Sequence, residues 1–412
     1  MLAPAQAEAQ AKENSRWAML GILSLAIVLS MTTWFSATAI ISELRAVWSL
    51  DDTSIAWLTN AVQIGFVVGA LGASIFNLPD IIAPRTLMSV SAVLAAAANL
   101  GLLIAPNAEA AMFLRFVTGL ALAGVYPPAL KLISTWFVQG RGLALGCVIA
   151  ALTLGSAFPH LLRALTSNLN WKLVVCSTSA MTVIGAALMA RFAVEGPYPF
   201  SRATFDPRKI GQVLRDKPVM LANIGYFGHM WELYAMWGWF LAFTQASWHA
   251  RGLISPSASL ITFAVIASGT IGCIIGGLMA DSIGRTATTS IMMTLSGLCC
   301  ILIGFTFDAP LWLFLLISII WGITVIGDSA QFAAAVTEVG NSAFIGTALA
   351  LQLGLGFALT VVAIRVMPVL ADHLGGWQWA FVALVPGPFI GTIAMLALRR
   401  LPESVKIGQG RR

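Results

Sequence analysis

Charge is what this sequence has least of. Across 412 residues, Asp, Glu, Lys and Arg together make up 10%, against about 25% in a soluble domain. A soluble fold of this size could not cover its surface with so few charges. Histidine occurs four times and cysteine five times. The cysteines (Cys147, Cys176, Cys273, Cys299, Cys300) all lie in apolar runs, which excludes a secreted disulfide scaffold and predicts reduced, structural thiols. There is no Gly-x-x-x-x-Gly-Lys-Ser/Thr phosphate loop, so ATP is not the driver. No His-Glu-x-x-His pair, nucleophile–base pair or long polar stretch suggests catalysis. The sequence therefore predicts no enzyme, no cofactor and no metal.

What is present is apolar. Residues AVILMFWYC account for 58%, with 37 glycines besides. Long apolar runs predict twelve membrane spans. In the first half they cover 17–41, 54–76, 86–105, 110–132, 142–165 and 172–193. In the second half they cover 218–245, 257–280, 287–306, 310–334, 343–369 and 377–398. The first run is too long for a signal peptide and lacks a small-residue cleavage site. The predicted class is an all-α integral membrane protein.

Basic residues set the orientation. With both termini in the cytoplasm, 17 of the 23 Lys and Arg fall on that side, five fall on the other, and Arg115 alone lies inside a span. Such asymmetry is the positive-inside pattern, so the net charge of +6 reflects topology and not nucleic-acid binding. The longest polar insert runs from Glu195-Gly-Pro through Arg208, Lys209, Arg215 and Lys217, midway along the chain. It reads as a cytoplasmic linker with an interfacial helix. The expected organisation is a tail (1–16), a six-helix bundle (17–193), the linker (194–217), a second six-helix bundle (218–398) and a tail (399–412).

Two segments mark a duplication. Gly277-Leu-Met-Ala-Asp281-Ser-Ile-Gly284-Arg285 follows span eight, and Phe76-Asn-Leu-Pro-Asp80-Ile-Ile-Ala83-Pro84-Arg85 follows span two, with the aspartates 201 positions apart. Each has an acid at a helix end, a tight turn and a base that caps the next helix or pairs across the bundle. The second copy resembles the Gly-x-x-x-Asp-x-x-Gly-Arg loop signature of the major facilitator superfamily. In the first copy Phe76, Ala83 and Pro84 depart from that pattern. Arg115-x-x-x-Gly119, the run Gly146, Gly155 and Pro159, and the openings Trp171-Lys172 and Trp377-Gln378-Trp379 are similar to further family motifs. Tyr126-Pro-Pro with Trp136-Phe137 and Arg141-Gly-Leu-Ala-Leu-Gly146 is similar to its anion-handling and carboxylate-handling branches, such as cyanate/nitrate-like permeases. The resemblance implies two six-helix bundles related by a pseudo-two-fold axis, rocking about a central site. Asp80, Arg85, Gly277, Asp281, Gly284 and Arg285 would then form gating loops.

Ionisable groups inside spans are costly and mark pathways or partners. Span seven carries Tyr226, His229 and Glu232 at i, i+3 spacing, flanked by Trp231, Trp237 and Trp239. Desolvation there penalises charge on a carboxyl, and an imidazole one turn away can share a proton. A proton-coupling pair, a substrate contact and a structural link to a neighbouring helix all fit. Span ten repeats the spacing with Asp328 and Gln331, as a substrate or coupling group or as a gate. Arg115 either pairs with a carboxylate or attracts an anionic solute. His160 and Arg163 recruit anions near the outer face, or Arg163 snorkels. Asn60, Gln63 and Gln352 hydrogen-bond a solute or glue helices together. The glycine runs Gly65/Gly69/Gly72 and Gly269/Gly272/Gly276 suit close helix packing.

These readings converge on a monomeric secondary transporter of the inner (plasma) membrane, taking up a small, anionic solute with a proton. Its partners are that solute, the proton and membrane lipid. The alternatives are proton-driven efflux of an amphipathic or cationic compound and, from another class, a transporter-like sensor. Tags at either terminus and within 194–217 should be reachable only from the cytoplasm. Labelling of residues 200–210 from the opposite side would end the twelve-span reading.

Overall fold

The computed structural model describes residues 4–138, 140–166, 170–198, 205–252, 256–341 and 343–412, without the side chains of 4–14, 52, 79, 80, 256 and 257. The described residues form helices and turns and no strand. Twelve rods run in chain order. Spans one to six are Pro4–Met31 (continued by Ser36–Ala39 and Ile41–Trp48), Asp52–Ile75, Pro84–Gly101, Ala108–Leu122 with Tyr126–Ser134, Arg141–Leu165 and Lys172–Phe192. Spans seven to twelve are Lys217–Ala250, Pro256–Ile283, Arg285–Phe305, Leu311–Gly327 with Ser329–Val339, Ile345–His373, and Ala380–Leu384 with Pro386–Arg400. Nine helices among the described residues are long and apolar enough to cross a membrane, and Ser15–Met31 is a shorter apolar helix.

Side chains at the starts match local chemistry. Asp51, Asn107 and Asp216 cap spans two, four and seven, accepting from the backbone N–H of Ser54, Ala110 and Val219 at 2.8, 2.9 and 3.2 Å. Three spans expected to be continuous are broken instead. Span one stops at Met31, where Thr32 and Thr33 turn their hydroxyls back onto the carbonyls of Leu29 and Ser30. Span four stops at Leu122 and restarts at Tyr126, since Pro127 and Pro128 bring no N–H and suit a first turn. Span ten is interrupted at Asp328, immediately after Gly327. Span twelve starts later than expected, as a 3-10 turn ahead of Pro386.

Both tails lie on one face. The Arg16 guanidinium stacks over the Phe137 ring at 5.4 Å, and the Gly408 N–H donates to Glu338 at the end of span ten. The linker is tied to both halves on that same face. The Gly196 N–H donates to Thr135 Oγ1 at 2.7 Å, and the Asp206 N–H donates to Thr347 Oγ1 at 2.9 Å. Among the described residues of the linker, helix is found as a turn, Pro207–Lys209, and six residues, Ile210–Arg215. The face away from the termini is called the outer face below.

Helices approach closely where glycine leaves backbone bare. Spans two and four meet reciprocally: a Cβ at Gly65 would strike the Phe116 carbonyl, and one at Gly119 would strike that of Val62. Within a bilayer such contacts hold helices together by dispersion and packing. The two halves meet along spans five and eight and along spans two and eleven. Gly119→Ala should therefore lower stability by about 1–3 kcal/mol through overpacking, measured by thermal unfolding in detergent. Gly72→Ala adds a Cβ that meets nothing within 4 Å and should leave the melting temperature unchanged.

Candidate functional site

A cavity of about 290 Å³ lies between the halves, lined by Tyr126, Ile149, Tyr226, Tyr234, Ser329 and Gln352 among others. The breaks in spans four and ten put Tyr126 and Ser329 on its wall. Pro127, Leu349 and Leu353 are shared with a second cavity of about 260 Å³, which Ser74, Asn77, Lys131 and Gly346 line near the tail-bearing face. Toward the outer face the space is closed by aromatic rings from both halves. Trp34 packs on Phe66 and Tyr234 at 4.9 and 5.7 Å, and Phe357 packs on Phe66 and Tyr234 at 4.5 and 5.2 Å. Phe35 and Trp237 extend the cluster, with ring centres 6.0 Å apart.

One pair of the predicted residues is brought together behind Ser329, which lines the cavity while neither member of the pair does. His229 Nδ1 lies 3.0 Å from Asp328 Oδ1, with both side chains buried. The contact is electrostatic and off the line of a hydrogen bond, since neither Asp328 oxygen has an aligned donor among the described residues. On the other edge of the ring, His229 Nε2 is 3.2 Å from Ser329 Oγ, and Ser329 lines the cavity. Phe332 and Tyr226 pack about the imidazole at 5.4 and 6.1 Å.

Glu232, one turn from His229 on the same span, makes its hydrogen bonds to other helices. Its Oε1 accepts from Ser296 Oγ at 2.5 Å, Trp321 Nε1 at 2.6 Å and Cys300 Sγ at 3.2 Å. Those donors come from spans nine and ten, so the carboxyl is held inside the second half, and Glu232 does not line the cavity. Gln331 also leaves the cavity: its Oε1 accepts from Arg285 Nη1 at 2.7 Å. Arg285 in turn forms a two-pronged pair with Glu338, at 2.8 and 2.7 Å.

Arg115 is not at the cavity either. It donates to the carbonyls of Thr33, at 2.8 Å, and Trp34, and to Ser36 Oγ at 3.3 Å. It therefore binds the carbonyls that the break in span one sets free, rather than a carboxylate. Asn60 donates to the Val361 carbonyl at 3.1 Å, joining spans two and eleven. Gln63 is fully buried with neither amide atom partnered among the described residues. Gln352 lines the cavity with an unpartnered Nε2. Arg163 pairs with Glu43, whereas both ring nitrogens of the buried His160 lack partners among the described residues.

Of the two loops that carry the repeated motif, the second sets Asp281 toward span five, where a Cβ on Gly142 would stand 3.3 Å from its Oδ1. Gly284 takes a φ of +93°, which favours glycine, and the last residues of the chain pack against it. Arg85 is exposed, and the side chain of Asp80 lies outside the described residues. Sequence reasoning missed Ser329, Trp321, Ser296, Cys300 and Glu338. Only Glu338 left a trace, seven residues beyond Gln331 and thus on the same helical face.

The sequence pattern described as Major Facilitator Superfamily matches residues 23–255. The MFS-type transporter pytF of Aspergillus terreus is 26% identical over 172 residues, 40% of this chain, and the match spans about half (55%) of that relative's length. The gentisate transporter of Corynebacterium glutamicum is 21% identical over 430 residues, covering 97% of this chain and 93% of that one. The solved proton:xylose symporter XylE is similar in fold, with a TM-score of 0.73 at 13% identity over 95% of this chain and 97% of that one.

Because Oε1 of Glu232 takes every donor described, Glu232→Gln can keep all three bonds through its carbonyl. It should leave the melting temperature in detergent unchanged. Glu232→Leu strands buried donors, each costing about 1–3 kcal/mol, and should lower the melting temperature. An equal loss of stability in Glu232→Gln would show that the other carboxyl oxygen is needed as well.

Proposed function

Because the chain belongs to the major facilitator superfamily, whose members are multi-pass membrane transporters of small solutes rather than enzymes, we propose that it carries a small organic anion together with a proton. The observation that carries this reading is the sequence of contacts Asp328–His229–Ser329, with Asp328 buried and Ser329 on the cavity wall.

The coupling follows from hydrogen-bond direction. A neutral His229 with its proton on Nδ1, toward Asp328, presents Nε2 as an acceptor, and the Ser329 hydroxyl donates to it. When a second proton binds, Nε2–H becomes a donor, Ser329 Oγ accepts, and its own hydrogen is released toward the cavity. Ser329 then offers a donor to an anion's oxygen. Charge acts in the same sense. The unprotonated pair is net negative and repels an anion, whereas the protonated pair is neutral. Proton and anion therefore favour each other's binding, which is the requirement for symport.

The solute class is supported by what the cavity offers. Gln352 presents an unpartnered amide N–H, Tyr126, Tyr226 and Tyr234 present aromatic faces with hydroxyls, and Lys131 lines the adjoining space. A small aromatic carboxylate suits these groups. A relative matched over nearly its whole length is named for gentisate, a hydroxylated aromatic carboxylate. We assign both termini to the cytoplasm of an inner (plasma) membrane, from the basic-residue asymmetry. Alternating access would rock the halves along spans two/eleven and five/eight.

In proteoliposomes with an imposed pH gradient, the protein should accumulate gentisate or a related aromatic carboxylate. Asp328→Asn should keep exchange down a solute gradient and lose accumulation driven by the pH gradient. Ser329→Ala should flatten the pH dependence of KM, and Ser329→Thr, which keeps the hydroxyl, should retain it. Transport of cations with no anion transported would overturn the solute class in favour of the efflux reading. A normal pH dependence in a folded Ser329→Ala protein would overturn the coupling route.

A further inference from the structure

The aromatic closure toward the outer face strands more polar atoms than packing requires. Nε1 of Trp34, Nε1 of Trp237 and both amide atoms of Gln63 are buried without a hydrogen-bond partner among the described residues. Buried donors are almost always satisfied in a stable structure, so each exception calls for a reason. These three share one seam. Trp34 touches rings of both halves, and Trp237 packs on Phe35 of the first half. Gln63 lies on the helix face that also carries Thr59 and Phe66, one turn to either side. Thr59 abuts Gly238 of span seven, and Phe66 packs on Trp34.

The seam stands between two spaces. Tyr234 and Phe357 line the central cavity on one side. On the other side is a cleft of about 280 Å³, lined by Arg45, Ile55, Trp239, Gln245, Asp372 and Trp377, again from both halves. Ile55 lies one turn outward of Thr59 on span two, and Ala242 and Gln245, which also line the cleft, lie one and two turns outward of Gly238 on span seven.

We propose that this seam is the outer half of the solute path, and that on opening the N–H groups of Trp34, Trp237 and Gln63 bind the oxygens of a carboxylate or sulfonate. An indole nitrogen donates and never accepts, and three of the four atoms stranded here are donors, with Gln63 Oε1 the one acceptor, so a solute rich in acceptors satisfies most of them. A cationic solute would set donors against donors. The inference rests on the organic-anion reading above and adds a second place where that anion is held, before it reaches the central cavity. The closed seam tolerates its unsatisfied donors because the rings around them bury a large apolar surface. The open seam supplies each donor with water or solute.

Two measurements test it. Gln63→Leu removes a donor at little change of volume, and Trp237→Phe removes one together with part of a buried ring. In oriented proteoliposomes each should raise KM for gentisate presented at the outer face about tenfold, the loss of one hydrogen bond to a charged acceptor. KM at the tail-bearing face should stay within about twofold, and for Gln63→Leu thermal stability should be unchanged or higher, since a stranded donor has gone. Equal KM values at the outer face before and after substitution, or equal rises at both faces, would overturn the proposal. Independently of the solute, Gln63→Cys should react with a membrane-impermeant maleimide added at the outer face, above the level of the unsubstituted protein. Absence of that labelling would overturn the path itself, whereas labelling in a protein that moves no organic anion would instead refute the substrate class.

Discussion

A backbone carbonyl set free inside a bilayer has no water to bond to, and most of this architecture answers that constraint. Continuous helices satisfy it automatically. Breaks do not, yet breaks are what bring side chains to the centre of the bundle. In span one the carbonyls of Thr33 and Trp34 are released, and the buried guanidinium of Arg115 reaches across from span four to take them. Five donors in a planar fork suit two divergent carbonyls better than an ammonium does. With that end fixed, Trp34 and Phe35 are held where they meet the rings of the second half.

The same economy governs the other breaks. Span four restarts on two prolines that have no N–H to lose, which frees Tyr126 to face the cavity. Span ten is interrupted between Gly327 and Ser329, beside the bare backbone of Gly276, whose added Cβ would strike the Gly327 carbonyl. The interruption exposes Asp328 to His229 and Ser329 to the cavity at one stroke. Beyond it, Gln331, Arg285 and Glu338 run as a chain of contacts to the Gly408 N–H in the tail. A change at the central pair thus lies one helical turn from a residue bonded to the loop after span eight.

The fold was readable in the sequence because bilayer length and charge asymmetry act on long segments, and errors of a few residues do not matter there. The site was readable only in part. Spacing of three put Tyr226, His229 and Glu232 on one face, but a helix face spans enough angle to serve two neighbours. His229 turned to span ten and Glu232 turned into spans nine and ten. Which neighbour each met depends on tertiary packing that no local pattern encodes. Ser329 was unreadable for another reason: a serine next to an aspartate is unremarkable until a helix break gives the two side chains different directions. Arg115 was visible as a buried cation, yet its partners are backbone carbonyls, which leave no mark in a sequence.

A charge argument joins the central pair to the proposed solute. The described lining of the central cavity contains no Lys or Arg and no acid, so an anion there must be balanced by something nearby. Two like charges about 6 Å apart repel by about 3 kcal/mol at an effective dielectric of ~20. That is roughly a hundredfold in affinity. An unprotonated His229–Asp328 pair would impose a penalty of this order on the anion, and protonation removes it without any helix moving. In the proposed symport the protonated pair plus a monoanion would carry one negative charge across, and the pair without its proton would carry the same charge back. The loaded and empty carriers are electrically alike, which favours a cycle driven by the proton gradient and insensitive to membrane potential. Had a fixed cation stood in the cavity instead, the anion would bind at any pH and the proton would have nothing to control. On this reading the apolar, tyrosine-lined wall is what makes the buried histidine decisive.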